Sequence, residues 1–219
     1  MFRIACLKNS IPFLLIVIVS CSDKQRSVAL PFYNTPDFTP LFISSTNEMK
    51  QKITHTIAPF SFTDQNGKTI TEKDVDGKIH VANFIFTSCA SICPTMTKHM
   101  KMAQKEFAND PDVVMLSYSV TPWIDSVSRL KKYAVNNDIN CPNWHLLTGN
   151  KGDIYKLARQ SYFAEEDLGF TKDSTEFLHT EHILLVDKTK RIRGIYNGTL
   201  QLEMEQLIKD IKALSKEEL

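Results

Sequence analysis

The sequence has no apolar run long enough to cross a membrane, no excess of charge of one sign, and no internal repeat. Its 219 residues include 26 Lys and Arg against 25 Asp and Glu. No basic stripe or RNA-binding motif is visible, so we expect no nucleic-acid partner. The apolar content of 42% and charged content of 23% are ordinary for a globular protein. The length suits one domain with flanking segments.

Residues 1–20 have the pattern of an export signal. Arg3 and Lys8 precede an apolar core at 11–19, which is shorter than the about 20 apolar residues of a membrane span. The core ends in a small residue followed by Cys21, as at a bacterial lipoprotein cleavage site. We therefore expect a signal peptide and a lipidated Cys21, with a short uncleaved anchor as the alternative. Either outcome predicts an exported, membrane-tethered domain facing the periplasm, where disulfides are permitted.

The rest of the chain divides into an arm and one domain. Residues 21–52 are polar with proline and aromatic residues, which predicts a tether that docks as an extended arm. Residues 53–219 alternate strand and helix patterns, which predicts an α/β domain with a parallel core sheet, flanking helices and antiparallel strands from two hairpins. Predicted strands lie at 57–63, 69–71, 79–87, 113–120, 144–147, 183–186 and 191–196, and predicted helices follow Pro94 and lie at 125–137 (capped by Asp125 or Ser126), 152–162 and 202–214.

The most informative stretch contains two cysteines. An apolar run at 81–86 predicts a buried strand, and Cys89 and Cys93 follow it. Because proline is favoured at the first position of a helix, Pro94 places Cys93 at a helix N-cap and Cys89 in the preceding loop. The positive end of a helix dipole lowers thiol pKa and favours thiolate, which binds metal or attacks a disulfide. A structural disulfide or simple packing is the alternative.

The cysteine pair follows a core strand at its carboxyl end, where open α/β sheets place their sites. Four apolar residues then recur at helical spacing: Met96, Met100, Ala103 and Phe107. A stripe of this kind could be a methionine ladder for copper. We interpret it as core packing, since any amphipathic helix has this spacing.

A third ligand would come from the six histidines. We expect four of them to be surface or core residues: His55, His80, His99 and His145. His179 and His182 lie where an irregular segment enters a strand, and such a histidine either returns over the cysteine loop or faces solvent. Two thiolates and an imidazole suit copper, because sulfur favours Cu(I) and imidazole also suits Cu(II) or zinc. A structural zinc site needs four ligands, and no fourth has suitable spacing.

These features resemble the Sco/SenC family, the thioredoxin-like copper proteins of cytochrome c oxidase assembly. The resemblance covers residues 57–214. Four motifs are similar to the family pattern: Pro59-Phe60-Ser61-Phe62 with Asn66-Gly67, the Cys-x-x-x-Cys-Pro loop at 84–94, the strand at 117–122, and His179 eight residues before Asp187. The chain departs from the pattern at Thr121, where the family has Asp, and in the last hairpin turn, which lacks the common glycine.

The resemblance implies a thioredoxin-like fold and a copper site. Its ligands for Cu(I), Cu(II) or both would be Cys89, Cys93 and His179, and the two cysteines would form the disulfide of an oxidised form. His182 is out of the family register and is an alternate ligand. Cys141 has no counterpart, and we interpret it as a buried or half-buried free thiol.

The resemblance also implies a function: a copper metallochaperone, rather than an enzyme, that delivers copper to the CuA centre of cytochrome c oxidase. Its partners would be the oxidase subunit carrying CuA, a copper donor protein, and the membrane through the lipid anchor. One alternative is a membrane-tethered thiol–disulfide reductase acting on cysteines of an oxidase subunit. Another is a redox or copper sensor.

Overall fold

A computed structural model of the protein describes residues 29–164 and 180–217. The predicted signal at 1–20, Cys21 and His179 lie outside these ranges. The strands are β1 (Phe32–Tyr33), β2 (Pro40–Leu41), β3 (Ser61–Asp64), β4 (Thr69–Thr71), β5 (Ile79–Ile85), β6 (Val113–Ser119), β7 (Trp144–Thr148), β8 (His182–Val186) and β9 (Ile192–Asn197). The helices are α1 (Thr46–Lys52), α2 (Ile92–Phe107), α3 (Val127–Asn136), α4 (Lys151–Gln160) and α5 (Gln201–Leu214), with a 3-10 turn at Glu72–Asp74. Within the described ranges, no helix combines the length and apolarity needed to cross a membrane.

All nine described strands form one mixed sheet in the order β2-β1-β9-β8-β5-β6-β7-β3-β4. Strands β5, β6 and β7 are parallel, and every other pairing is antiparallel. Every residue of β5 and β6 is buried, as expected for parallel strands covered on both faces. The predicted mixed sheet, with its opening and closing hairpins, is confirmed.

The sheet separates two hydrophobic clusters. Helices α2, α3 and α5 cover one face, which we call the helical face, and the predicted methionine stripe is buried there against α5. Helix α4 covers the other face, where Phe60, Phe62, Tyr118 and Tyr162 pack. Both clusters consist of residues between 57 and 214, so the core does not depend on the first 28 residues.

Residues 29–52 are more structured than the predicted extended arm. Strand β1 pairs with the edge strand β9, and Phe32 is buried in a small cluster with Met49 and Ile53. Helix α1 was not predicted; it is only seven residues long and is capped by Ser45. In the β8–β9 turn, Lys190 takes the left-handed position at φ 64°, where glycine is otherwise favoured.

Candidate metal centre

The cysteine loop, residues 86–91, joins the carboxyl end of β5 to α2. The helix begins earlier than predicted: Ser91 is the N-cap, and Cys93 is the second helical residue instead of the cap. The prediction was wrong because it assumed proline at the first helical position. Pro94 is the third residue, where the backbone N–H also lacks an intrahelical partner, so the missing donor breaks no helix bond.

Cys89 of this loop and Cys93 of α2 are free thiols that lie side by side. Cys89 is partly exposed, whereas Cys93 is 4% exposed. Burial raises the pKa of Cys89, but the N–H groups of Cys93, Ser91 and Ile92 and the thiol of Cys93 donate to its sulfur and lower the pKa overall. The amides of the first helical turn therefore stabilise a thiolate at Cys89, as the helix dipole argument predicts.

Cys93 has the opposite electrostatic environment. Burial raises its pKa to about 12, and the neighbouring Cys89 and the Asp125 carboxylate add to the increase. The pair therefore combines an accessible sulfur that ionises easily with a buried sulfur that keeps its proton until a metal or an oxidant removes it.

A fully buried carboxylate, Asp125, holds the start of the cysteine loop. It accepts hydrogen bonds from the hydroxyl and N–H of Thr87 at 2.5 and 3.2 Å, from Ser119 at 2.7 Å and from Thr121 at 2.9 Å. Arg129 Nε lies 3.5 Å from the same carboxylate. We call these five residues the Asp125 cluster. It ties together the loop, the end of β6 and the first turn of α3.

Arg129 extends this cluster to the loop itself. Its guanidinium donates to Thr87 Oγ1 at 2.6 Å and to Ser88 Oγ at 2.8 Å, while 45% of its side chain stays exposed. Asp125 was predicted only as a candidate helix cap, but the cap of α3 is Ser126. Three partners of Asp125 lie within six residues along the chain, but Thr87, the partner that brings it under the cysteine loop, lies 38 residues away, so the local sequence does not predict this contact.

His179 lies outside the described residues, but the residues that follow it, from Thr180 onward, are described. Strand β8 is antiparallel to β5, with Asn83 opposite Ile183. The start of β8 therefore lies at the carboxyl end of β5, from which the cysteine loop departs. Thr180, the residue after His179, is buried at this end of β8.

A second link joins this part of the chain to the helix that carries Cys93. The N–H of Gly198 donates to the carbonyl of Glu181 at 2.9 Å, and the carbonyl of Gly198 accepts from His99 Nδ1 of α2 at 2.8 Å. A Cβ on Gly198 would lie 2.7 Å from Ile183 Cδ1, so this close approach requires glycine. The entry to β8 is thus held beside α2.

His182 does not lie with the cysteines. It shares a sheet face with Leu184, which packs in the cluster opposite the helical face. Its ring meets Phe38 edge-on at 5.9 Å, and its buried Nδ1 has no hydrogen-bond partner among the described residues. Within residues 29–164 and 180–217, no three His, Cys, Asp or Glu side chains form a group that could hold a metal.

Each of the remaining four histidines makes a hydrogen bond with a neighbouring residue in the fold, as expected for structural residues. The contacts are His55 with the Ser161 carbonyl at 2.8 Å, His80 with the Tyr162 hydroxyl at 3.1 Å, His99 with Gly198, and His145 with Asp64 at 3.0 Å. Cys141 is a buried free thiol, as predicted, and burial raises its pKa.

The site as a whole fits copper. Cys89 and Cys93 supply two adjacent, unbridged sulfur donors, and copper prefers soft ligands.

The sequence matches the SCO1/SenC family over residues 48–216. It is 33% identical over 170 residues to the SCO1 protein homolog of Bacillus subtilis, covering 77% of this chain and 87% of that protein. Among solved structures, a SCO1/SenC family lipoprotein from Bacillus anthracis superposes with a TM-score of 0.64 at 32% identity, covering 74% of this chain and 96% of that one.

Two further structures are described by what they bind or assemble. BsSco, described as having a disulfide switch and as a member of the Sco family of cytochrome c oxidase assembly proteins, gives a TM-score of 0.61 at 30% identity, covering 75% and 95% of the two chains. ScoI of Bradyrhizobium japonicum, solved with copper bound, gives 0.57 at 28% identity, covering 73% and 99%. The predicted fold is that of these proteins.

Proposed function

Because this chain belongs to the SCO1/SenC family, we propose that it binds copper through Cys89, Cys93 and His179 and delivers it to the CuA centre of a cytochrome c oxidase. The observation that carries this proposal is the pair of free, adjacent thiols at the carboxyl end of β5. Support comes from one relative solved with copper bound and another described as an oxidase assembly protein.

The placement of its neighbour supports His179 as the third ligand. His179 precedes Thr180, and consecutive Cα atoms are about 3.8 Å apart. Thr180 and Glu181 lie at the end of β5 that leads to the cysteine loop, and Gly198 links Glu181 to α2. These contacts favour His179 over His182, whose ring lies against Phe38 on the other side of the sheet.

Copper is the cargo of this protein, and the residues of the site allow it to be taken from a donor and passed to an acceptor. Cys89 is partly exposed and ionises readily, so it is the sulfur that meets an incoming donor or acceptor. Cys93 lies beneath it and releases its proton when metal binds. Three protein ligands leave room for a ligand of the acceptor to enter before the copper leaves. The Asp125 cluster holds the loop in place during this exchange.

The lipid anchor is part of the proposal. Cys21 follows a signal-like segment, and the Bacillus anthracis neighbour is itself called a lipoprotein. A lipid on Cys21 would tether the domain in the periplasm beside a membrane-bound oxidase subunit, the proposed acceptor, with a separate protein as copper donor.

Copper titration of site variants tests the proposal. We expect Cys89→Ser and Cys93→Ser to abolish tight Cu(I) binding and His179→Ala to weaken it, because each removes a ligand. Cys141→Ser is the matched control, since it removes a buried thiol outside the loop and should leave binding unchanged. Full copper retention by the double variant Cys89→Ser/Cys93→Ser would end the proposal.

The contrast between the two thiols supports a second candidate, a thiol–disulfide reductase. The Cys89 thiolate would attack an acceptor disulfide and form a mixed disulfide with one acceptor cysteine. Cys93 would then attack the Cys89 sulfur and release that acceptor cysteine as a thiol. The acceptor leaves as two thiols, and this protein leaves with a Cys89–Cys93 disulfide. His179→Ala separates the candidates, because a reductase should tolerate the change whereas copper binding should weaken.

A further inference from the structure

Basic side chains are concentrated on the helical face. Residues 92–107, 127–136 and 201–217 contain nine Lys and Arg but five Asp and Glu. The 26 basic and 25 acidic side chains of the whole sequence become 24 and 25 when Arg3 and Lys8 are removed with the predicted signal. All nine basic residues except Lys101 are exposed: Lys98, Lys105, Arg129, Lys131, Lys132, Lys209, Lys212 and Lys216.

The acids of the same segments offset this charge only in part. Asp210 is buried and accepts from the Tyr196 hydroxyl at 2.7 Å. Glu217 pairs with the buried Arg193, and Glu106 pairs with Lys212. The other two acids, Glu203 and Glu205, are half-buried and leave the exposed basic residues in excess. The outward field of the helical face is therefore positive, although the protein as a whole is nearly neutral.

The N-terminal arm begins at one end of this face. A cavity is lined by Ala29 and Leu30 on one side and by Lys209, Lys212 and Lys216 on the other. The exit point is fixed, because the carbonyls of Leu30 and Pro31 accept hydrogen bonds from Arg193 at 2.8 and 3.1 Å.

The length of the preceding segment sets a limit on the distance to the anchor. Seven residues, 22–28, separate Cys21 from Ala29. Even fully extended, they reach about 25–30 Å. A lipid on Cys21 would therefore keep the lysines of α5 close to the membrane surface, within a few Debye lengths at physiological salt.

We propose that the helical face docks on the anionic phospholipid headgroups of the membrane to which the protein is tethered. The part of this inference that concerns the tether rests on the proposed lipidation of Cys21; the surface itself does not. An acidic protein could also bind a basic face, but the arm leaves the domain beside these lysines and so favours the membrane. Docking through the α5 lysines would bring the last turn of α2, where Glu106 pairs with Lys212, to the headgroup level.

Vesicle co-sedimentation of the chain from residue 22 onward tests this surface without lipid. This chain retains the complete core. We expect it to bind vesicles of equal parts phosphatidylcholine and phosphatidylglycerol at low salt, and not vesicles of phosphatidylcholine alone. The triple variant Lys209→Gln/Lys212→Gln/Lys216→Gln should bind at least about tenfold more weakly. The charge-preserving variant Lys209→Arg/Lys212→Arg/Lys216→Arg should bind as the unmodified chain does.

A matched control removes the same net charge from α4, the β3–β4 turn and the 3-10 turn, all outside α5. Lys68→Gln/Lys73→Gln/Lys156→Gln also removes one paired lysine, Lys68 with Asp74, and two other exposed lysines. It should change vesicle binding by less than about twofold. Equal losses in both triples, loss in the Arg triple, or no binding of the unmodified chain to anionic vesicles would overturn the proposal. Copper titration of the α5 triple should be unchanged, so the outcome is separate from that of the metal site.

Discussion

Two buried charged side chains, Asp125 and Arg193, hold two different edges of the molecule. Asp125 lies under the cysteine loop, and its partners are three hydroxyl groups, one N–H and the half-exposed Arg129. Arg193 lies under the N-terminal arm, is 1% exposed, and stacks 3.9 Å from the ring centre of Phe32. The first cluster reaches solvent through Arg129, whereas the guanidinium at the centre of the second is closed off.

The partners of Arg193 lie away from the cysteines and connect separate segments of the chain. It pairs with Asp187 at 3.3 Å and with Glu217 at 3.0 Å, and it binds the carbonyls of Leu30 and Pro31. It thus joins the arm, the β8–β9 turn and the C-terminal residues. The comparison indicates that one cluster fixes the frame, while the other positions a loop whose sulfur atoms must stay accessible.

The largest effect should come from breaking the closed cluster. Arg193→Leu leaves Asp187 buried without its partner, and removal of one member of a buried pair costs about 3–5 kcal/mol. We expect that loss in the free energy of unfolding, measured by urea denaturation, with copper stoichiometry of the folded protein unchanged. The control is Arg191→Leu, whose guanidinium, among the described residues, donates to the carbonyls of Ile53 and Thr189 at 3.3 and 3.5 Å and not to a buried carboxylate. A cost as small as that of the control would contradict this account.

Asp125→Asn should have a smaller effect on stability and a larger one on the loop. The amide keeps the volume but turns an N–H₂ group towards hydroxyl donors, which costs about 1–3 kcal/mol. Water can solvate the half-exposed Arg129, so the loss stays below that of Arg193→Leu. Urea denaturation measures the cost, and the copper dissociation rate should rise as the hold on Thr87 weakens. If stability falls while copper release stays unchanged, Asp125 supports only the frame.

Alkylation of the copper-free protein sharpens the comparison at the loop. Hydrogen bonds lower the pKa of Cys89, so its iodoacetamide reaction should rise with pH through a midpoint below that of an ordinary cysteine. Cys93, with a pKa raised to about 12, and Cys141 should react slowly at neutral pH. Mass spectrometry of the labelled peptides measures each site. Equal labelling of Cys89 and Cys93 at neutral pH is the result that would count against the contrast.

The smallest effect should come from an exposed ion pair on the helical face. Lys101 and Asp138 are 3.0 Å apart, and the Asp138 side chain is 78% exposed. Exposed pairs contribute about 0–1 kcal/mol, so Asp138→Asn should change the unfolding free energy by no more than that. A cost equal to that of Asp125→Asn would show that burial is not what distinguishes the two acids.

The local sequence pattern was enough to predict the central strands and the buried side of α2. The apolar runs predicted β5 and β6, and the spacing of Met96 and Met100 predicted the buried side of α2. The adjacency of the two free thiols also followed from sequence, because a strand, a short loop and a helix bring both cysteines to one end of the sheet. These features depend on neighbouring residues.

Long-range contacts were not predictable in the same way. Asp125 and Arg193 have the sequence context of ordinary surface charges, and the contacts that place them, Thr87 with Asp125 and Leu30 with Arg193, join segments 38 and 163 residues apart. The start of α2 was misplaced by two residues because proline is tolerated throughout the first turn. Helix α1 is short, and its one buried side chain, Met49, packs against Phe32 and Ile53, which lie outside the helix.

X-ray absorption of the Cu(I)-loaded chain tests the central claim most directly. The account predicts two sulfur ligands and one imidazole nitrogen per copper, with the nitrogen lost in His179→Ala and retained in His182→Ala. A copper environment without sulfur, or one in which the nitrogen disappears with His182 instead of His179, would contradict it.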